Sequence, residues 1–323
     1  MVTEMKNAIA AICAGLVTVS CCASLSELVD PKYAIKGNAT SHFDLNPPVT
    51  AEVTTSSEIW RDASRQRDVP VKIYRPATVS GPLPVVIFSH GIGEDRDSYA
   101  YLGREWAGRG FLAVHITHAG TDKAVLESGY WHLYQATKKK ENWVNRPLDV
   151  SFVLDQLAKR DDADLDRVAV AGHSAGAFTA LAIAGLRFVD GSTLADPRVK
   201  VAIAISMPKM NGVIADDGYA SIRIPVLHMT GTCDTSLIYR TFPKDRRVPF
   251  EKSAGPDQYL VTLEGVSHDT FSNREDVSHP LIGRITSAFL DGYLRGDPNA
   301  RAFFEQGELS AMREVAVERK SVR

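Results

Sequence analysis

The sequence predicts an α/β fold built on a doubly wound, mostly parallel sheet, with an antiparallel hairpin at its N-terminal edge. Short apolar runs recur without polar alternation, helical stretches fall between them, and no internal repeat or low-complexity tract competes. A strand that is apolar at every position is covered on both faces. A strand, helix, strand order makes neighbouring strands parallel through right-handed crossovers.

The first residues read differently from the rest. Residues 8–23, AIAAICAGLVTVSCCA, carry no charge and follow Lys6, which suits an export segment and falls short of the roughly 20 residues of a spanning helix. Residues 1–23 are therefore expected to direct the chain to the periplasm or the outside. Cys21 and Cys22 follow small and branched residues, so acylation of a new N-terminal cysteine, with membrane anchoring, is the alternative to plain cleavage or retention. Cys13, Cys21 and Cys22 lie in this segment and leave Cys233 alone in the mature domain. A small buried Cys233 and a fold without internal disulfides are the expectation.

Residues 24–48 hold Asp30-Pro31, Asn38-Ala39-Thr40-Ser41 and Asn46-Pro47-Pro48 without periodicity, and read as a linker. One domain is expected over 49–323. Val53 to Trp60 and Val69 to Tyr74 form the opening hairpin, with Val71 and Ile73 on one face. The covered strands are Pro84 to Phe88, Phe111 to Val114, Val168 to Ala171, Val201 to Ile205, Pro225 to Met229 and Tyr259 to Leu263. Helices are expected over Trp143 to Leu157, Ala177 to Leu186 and Leu281 to Leu294. Residues 119–142 make the longest irregular stretch. Its Tyr130-Trp131-His132-Leu133-Tyr134 cluster is either packing against the sheet rim or a substrate wall, with Trp131 the candidate contact. Lys138-Lys139-Lys140 reads as a solvated face.

Composition narrows the function classes. With 323 residues, 44% hydrophobic and 24% charged, the chain can bury one large core. A net charge of -2 and a pI near 6.5 supply no basic field for nucleic acid.

The chemistry concentrates at Gly172-His173-Ser174-Ala175-Gly176. This Gly-x-Ser-x-Gly follows the strand Val168 to Ala171 and opens a small-residue helix, the setting in which a nucleophile sits on a sharp turn. A serine hydroxyl is a weak nucleophile at neutral pH and needs a base, which in turn needs a partner to fix its tautomer. The order expected is serine, acid, histidine. Asp234, just past the strand Val226 to Met229, fits the acid, with Asp216 and Asp217 as alternatives. His268, just past the strand Tyr259 to Leu263, fits the base, and His279 is the rival. Donors for an oxyanion are expected from the backbone N–H of Ala175 and from the Ser89-His90-Gly91-Ile92-Gly93 loop, with Ile92 preferred.

These segments resemble the α/β-hydrolases, in the branch related to platelet-activating-factor acetylhydrolases and dienelactone hydrolases. The likeness covers most of residues 53–297. It rests on Val69 to Pro76, Phe88 to Gly93, Asn145 to Val150, the Gly172 to Gly176 elbow and Phe289 to Arg295. The resemblance implies hydrolysis of short or moderately sized acyl esters without metal or organic cofactor. It also implies a structural place near the site for Arg146 and Asp149. Dienelactone hydrolases carry cysteine at the elbow where this chain has Ser174, which argues against a dienelactone substrate. Two other readings stand beside the esterase: a serine peptidase of the prolyl-oligopeptidase type, which lacks its propeller here, and a non-catalytic binding module anchored to an envelope.

Overall fold

A computed structural model describes residues 22–36, 51–272, 276–306 and 308–320. Its elements run α1 (Leu25–Leu28), β1 (Val53–Asp62), β2 (Arg67–Pro76), β3 (Leu83–Ser89), α2 (Ala100–Gly108), β4 (Leu112–Ile116), α3 (Lys123–Glu127), α4 (Tyr130–Ala136) and α5 (Lys140–Leu157). They continue with β5 (Ala163–His173), α6 (Ala175–Ile183), β6 (Val199–Ile205), β7 (Val226–Cys233), α7 (Val248–Lys252), β8 (Gln258–Ser267), α8 (His279–Leu290), α9 (Pro298–Glu305) and β9 (Val315–Lys320).

The nine strands among the described residues join one sheet in the order β1-β2-β4-β3-β5-β6-β7-β8-β9. From β4 to β8 the pairings are parallel, while β1–β2, β2–β4 and β8–β9 are antiparallel. This is an α/β-hydrolase fold, with the N-terminal hairpin at one edge as the sequence predicts.

Alternation of side chains along the buried strands divides the core between the two faces of the sheet. Val86 and Phe88 of β3 face α2 and α8, packing with Trp106, Ile282 and Phe289. Val85 and Ile87 face the other way, onto Val150 and Leu154 of α5. Period-2 geometry makes this division unavoidable for a strand that is apolar throughout.

Several expectations are corrected. Residues 119–142 are not irregular: they contain α3 and α4 and lead straight into α5. Residues 22–36, read as the end of an export segment and a linker, dock on the domain. The Ala23 N–H donates to Thr232 O at 2.9 Å, and the Ile35 N–H to Val317 O at 3.0 Å. Leu28 is buried beneath them.

Cys233 is not alone either, because it forms a disulfide with Cys22. Cys22, one of the two cysteines expected as a lipid acceptor, is taken up by that bond. Cys21, the rest of the expected export segment and residues 37–50 lie outside the described residues. Among the described residues no helix is long and apolar enough to cross a membrane.

Candidate active site

The C-terminal ends of β3, β5, β7 and β8 meet at one edge of the sheet, where ligands of open α/β sheets bind. Each contributes one piece. Ser174 lies in the turn between β5 and α6, at φ 54° and ψ -117°, a backbone region that costs energy for any side-chain-bearing residue. The flanking glycines explain how so sharp a turn is built. A Cβ on Gly172 would lie 2.2 Å from Gly176 O, and one on Gly176 would lie 1.8 Å from Ser89 O. Strand end, helix start and the β3 loop therefore close on one another only because both positions lack side chains.

Asp234 follows β7 and His268 follows β8. His268 Nε2 stands 3.1 Å from Ser174 Oγ, and His268 Nδ1 is 2.8 Å from Asp234 Oδ1. With Nδ1–H donating to the carboxylate, the Nε2 lone pair faces the serine hydroxyl. The other carboxylate oxygen of Asp234 accepts from Ser206 Oγ and from Thr230 Oγ1, the latter at 2.8 Å.

Arg246, from the single turn Asp245–Arg247, lies against this pair with its Nη2 3.0 Å from Asp234 Oδ1. Its Nη2 is also 3.1 Å from His268 Nδ1. Both nitrogens are N–H donors directed at the same oxygen, so this approach is a convergence and not a bond between them. Burial opposes the charged form of Asp234, but the Arg246 guanidinium and the bonds from His268 and Ser206 outweigh it and hold the carboxyl well below the usual range.

On the far side of Ser174 a second polar chain begins in the glycine loop. Glu94 Oε2 accepts the Gly91 N–H at 2.9 Å and the Tyr99 hydroxyl, and Tyr99 Oη lies 2.7 Å from His173 Nδ1. Since Tyr99 donates to the carboxylate, its oxygen accepts from His173 Nδ1–H. Burial pushes the Glu94 carboxyl up to about 7 against those hydrogen bonds, and pushes His173 well below its usual range.

Beneath the same loop, Arg146 of α5 is fully buried. It donates to His90 O, to Ser89 Oγ at 3.1 Å, to Thr121 Oγ1 at 2.8 Å and to Thr179 Oγ1 at 3.0 Å. Asp149 accepts from His118 Nδ1, at 2.9 Å, and pairs with Arg65 and Arg67. Burial and the Arg146 charge bring His118 down to about 4, so its ring is a neutral part of this scaffold. Arg146 and Asp149 thus hold the loop from below.

A cleft of about 350 Å³ opens over Ser174, lined among others by Gly91, Ile92, Thr235, Leu237, Tyr239 and His268. Ile92 therefore borders the cleft. Ala175 is the first residue of α6, where backbone N–H groups have no partner within the helix. Trp131 is elsewhere: it is 67% exposed, stacks on Tyr134, and does not line the cleft. Its amphipathic turn packs Leu133 inward and leaves the larger rings in solvent. Of the rivals, Asp217 pairs with Arg187 at the surface and His279 opens α8, with its Nε2 2.7 Å from Thr270 O. Arg246, Ser206, Thr230 and the Glu94–Tyr99–His173 chain were not singled out in the sequence. No motif marks them: Ser206 lies 28 positions from Asp234 and Tyr99 lies 74 from His173, and only the closed fold shows that the nearer Thr230, Glu94 and His173 turn into the same network.

Residues 49–213 match the Chlorophyllase family, a span of just over half the chain that includes the glycine loop and the Ser174 elbow. The chain belongs to the chlorophyllase family. The matched span ends before Asp234 and His268, so the family match covers the elbow and not the whole constellation. Beyond the family, the chain is 24% identical to a platelet-activating factor acetylhydrolase of Cavia porcellus over 289 residues, covering 72% of this chain and 62% of that one. The enzymes of the same name from Canis lupus familiaris and Bos taurus are 24% and 22% identical, covering 65% and 62% of this chain. The chain spans only 51% to 62% of the length of these relatives. The resemblance seen in the residues is thereby matched by both comparisons.

Proposed function

We propose that this chlorophyllase-family protein is a serine-dependent carboxylic ester hydrolase acting on short to moderate acyl chains. The observation that carries the reading is the continuous hydrogen-bonded path from Ser174 Oγ through His268 to Asp234, at 3.1 and 2.8 Å. His268 takes the hydroxyl proton as Ser174 Oγ attacks the ester carbonyl, and Asp234 stabilises the imidazolium that forms. The negative oxygen of the tetrahedral intermediate is received by the backbone N–H groups of Ile92 and Ala175. Collapse breaks the bond to the alcohol, which leaves with the proton from His268. Water, deprotonated by the same ring, then attacks the acyl-enzyme and releases the acid and free Ser174.

A short to moderate acyl chain is supported by the cleft, whose roughly 350 Å³ lies near the lower end of ordinary ligand sites. The acetylhydrolase names of the relatives agree with a short acyl group. The same reading assigns the protein to an oxidising compartment, which the Cys22–Cys233 disulfide supports, with Cys21 the candidate for a lipid anchor.

The test is the initial rate on p-nitrophenyl esters from acetate to palmitate, with wild type beside Ser174→Ala. A fast wild type, best on the short esters, and a variant slower by several orders of magnitude are expected. Equal, negligible rates from two folded proteins would exclude simple esters as substrates.

A further inference from the structure

We propose that Arg246 is a positioning residue of the Ser174 site: it shares the Asp234 oxygen that holds His268, so the imidazole works beside a neutralised pair and not beside a bare carboxylate. The inference rests on the triad reading above and adds to it a fourth group that fixes the carboxylate orienting the base.

The geometry is specific. Asp234 Oδ1 receives both His268 Nδ1, at 2.8 Å, and Arg246 Nη2, at 3.0 Å. Oδ2 receives Ser206 and Thr230. Four donors occupy the acceptor sites of one carboxylate, so its plane has no freedom to turn.

Arg246 is itself fixed. Its Nη1 donates to Ser206 O at 2.7 Å and to Met207 O at 2.9 Å, both just beyond β6. Its side chain, like that of Asp234, is fully enclosed, so the ion pair is little screened by water. An arginine suits this place because its planar fork binds several fixed oxygens at once and it does not lose its charge.

The consequence for the chemistry follows from counting charge. With a bare aspartate, protonating the imidazole takes the pair from minus one to zero. With Arg246 present, the same proton takes the trio from zero to plus one, and the added charge appears on a ring whose Nδ1 is 3.1 Å from the guanidinium. Other charged and titratable groups also face or flank His268. His173 from β5 packs its ring 4.6 Å from that of His268 and is held neutral by burial. Glu94 borders the cleft from the glycine loop, and Asp269 follows His268 in the chain. Asp245, beside Arg246, is engaged with Lys209 at 3.0 Å. Arg246 therefore fixes the carboxylate that orients the base, and its removal leaves Asp234 Oδ1 with one donor fewer.

The experiment compares wild type, Arg246→Lys and Arg246→Met on p-nitrophenyl acetate, with rates divided by the number of sites titrated with a fluorophosphonate. For Arg246→Met, kcat per titrated site is expected to fall about tenfold with KM nearly unchanged. Arg246→Lys, which keeps the charge, should restore most of the lost kcat. A purely structural arginine would lower the number of titratable sites while leaving kcat per site unmoved, and that result overturns the proposal.

Should Arg246→Met fail to fold, the pair Asp234→Asn and Asp234→Asn/Arg246→Met decides, because the double variant buries no lone charge. Without the carboxylate, losing Arg246 should cost less than about twofold, since coupled residues are strongly non-additive. A further tenfold loss would contradict the proposal. Loss of wild-type activity in Ser174→Ala is the separate check on the triad, so the two readings can fail independently.

Discussion

Cys22 and Cys233 are joined by a disulfide that spans 211 residues and ends next to Asp234. The neighbouring bond from the Ala23 N–H to Thr232 O makes the N-terminal segment part of the wall behind β7. Closing so long a loop restricts the unfolded chain, and removing a native disulfide typically costs about 2–4 kcal/mol. Cys22→Ser and Cys233→Ser are each expected to lose that amount in urea unfolding, and the double variant no more than either. Independent, additive losses would show that the two sulfurs are not bonded in solution.

Glu94 predicts a pH dependence of stability. Its carboxyl rises from 4.5 to about 7 in the folded chain. Between those values the folded state holds a proton that the unfolded state has released, so stability falls as pH rises through the window and levels off above it. Glu94→Gln keeps an acceptor for Gly91 and Tyr99 but cannot ionise. Its Tm should drop less than that of wild type between pH 5 and pH 8, by roughly 2–4 °C for each 1 kcal/mol removed. Identical drops in both proteins would mean that Glu94 is ionised freely at the cleft wall.

Gly176→Ala tests the elbow. The new Cβ would meet the Ser89 carbonyl, which is backbone and cannot swing aside. A loss of about 1–3 kcal/mol or more is expected from such overpacking, together with a fall in kcat as the Ser89 to Gly93 loop moves away from Ser174. A variant with wild-type stability and rate would show that the turn relaxes at no cost.

Trp131→Ala should do almost nothing to turnover. The ring stands in solvent, away from the cleft, and surface substitutions of this kind change energies by about 0.5 kcal/mol or less. A fall in kcat/KM of more than about tenfold on p-nitrophenyl esters, some 1.4 kcal/mol, would return Trp131 to the substrate wall.

These residues also divide what can be read in a sequence from what cannot. The strands around Val85, Val170 and Ile203 announce themselves because coverage on both faces leaves a local apolar run. Ser174, Asp234 and His268 are legible because each lies just past such a run, at the same sheet end. Arg246 has no such mark: nothing in Lys244-Asp245-Arg246-Arg247 says which arginine turns inward to Asp234 and which reaches Glu318. Residues 24–36 carry turn signals that read as linker, yet their partners are in β9, nearly 300 positions later, as in the bond from the Asp30 N–H to Glu318 at a separation of 288. Local pattern reports burial and turns, whereas pairing across such distances is decided only by the closed fold.

The most direct measurement is covalent labelling with a fluorophosphonate, followed by peptide mass mapping. A serine activated by His268 should acquire one adduct, on Ser174, at a rate that falls by orders of magnitude in folded His268→Ala. No adduct in the folded wild type, or one on another serine with Ser174 untouched, would contradict the claim that Ser174 is the nucleophile.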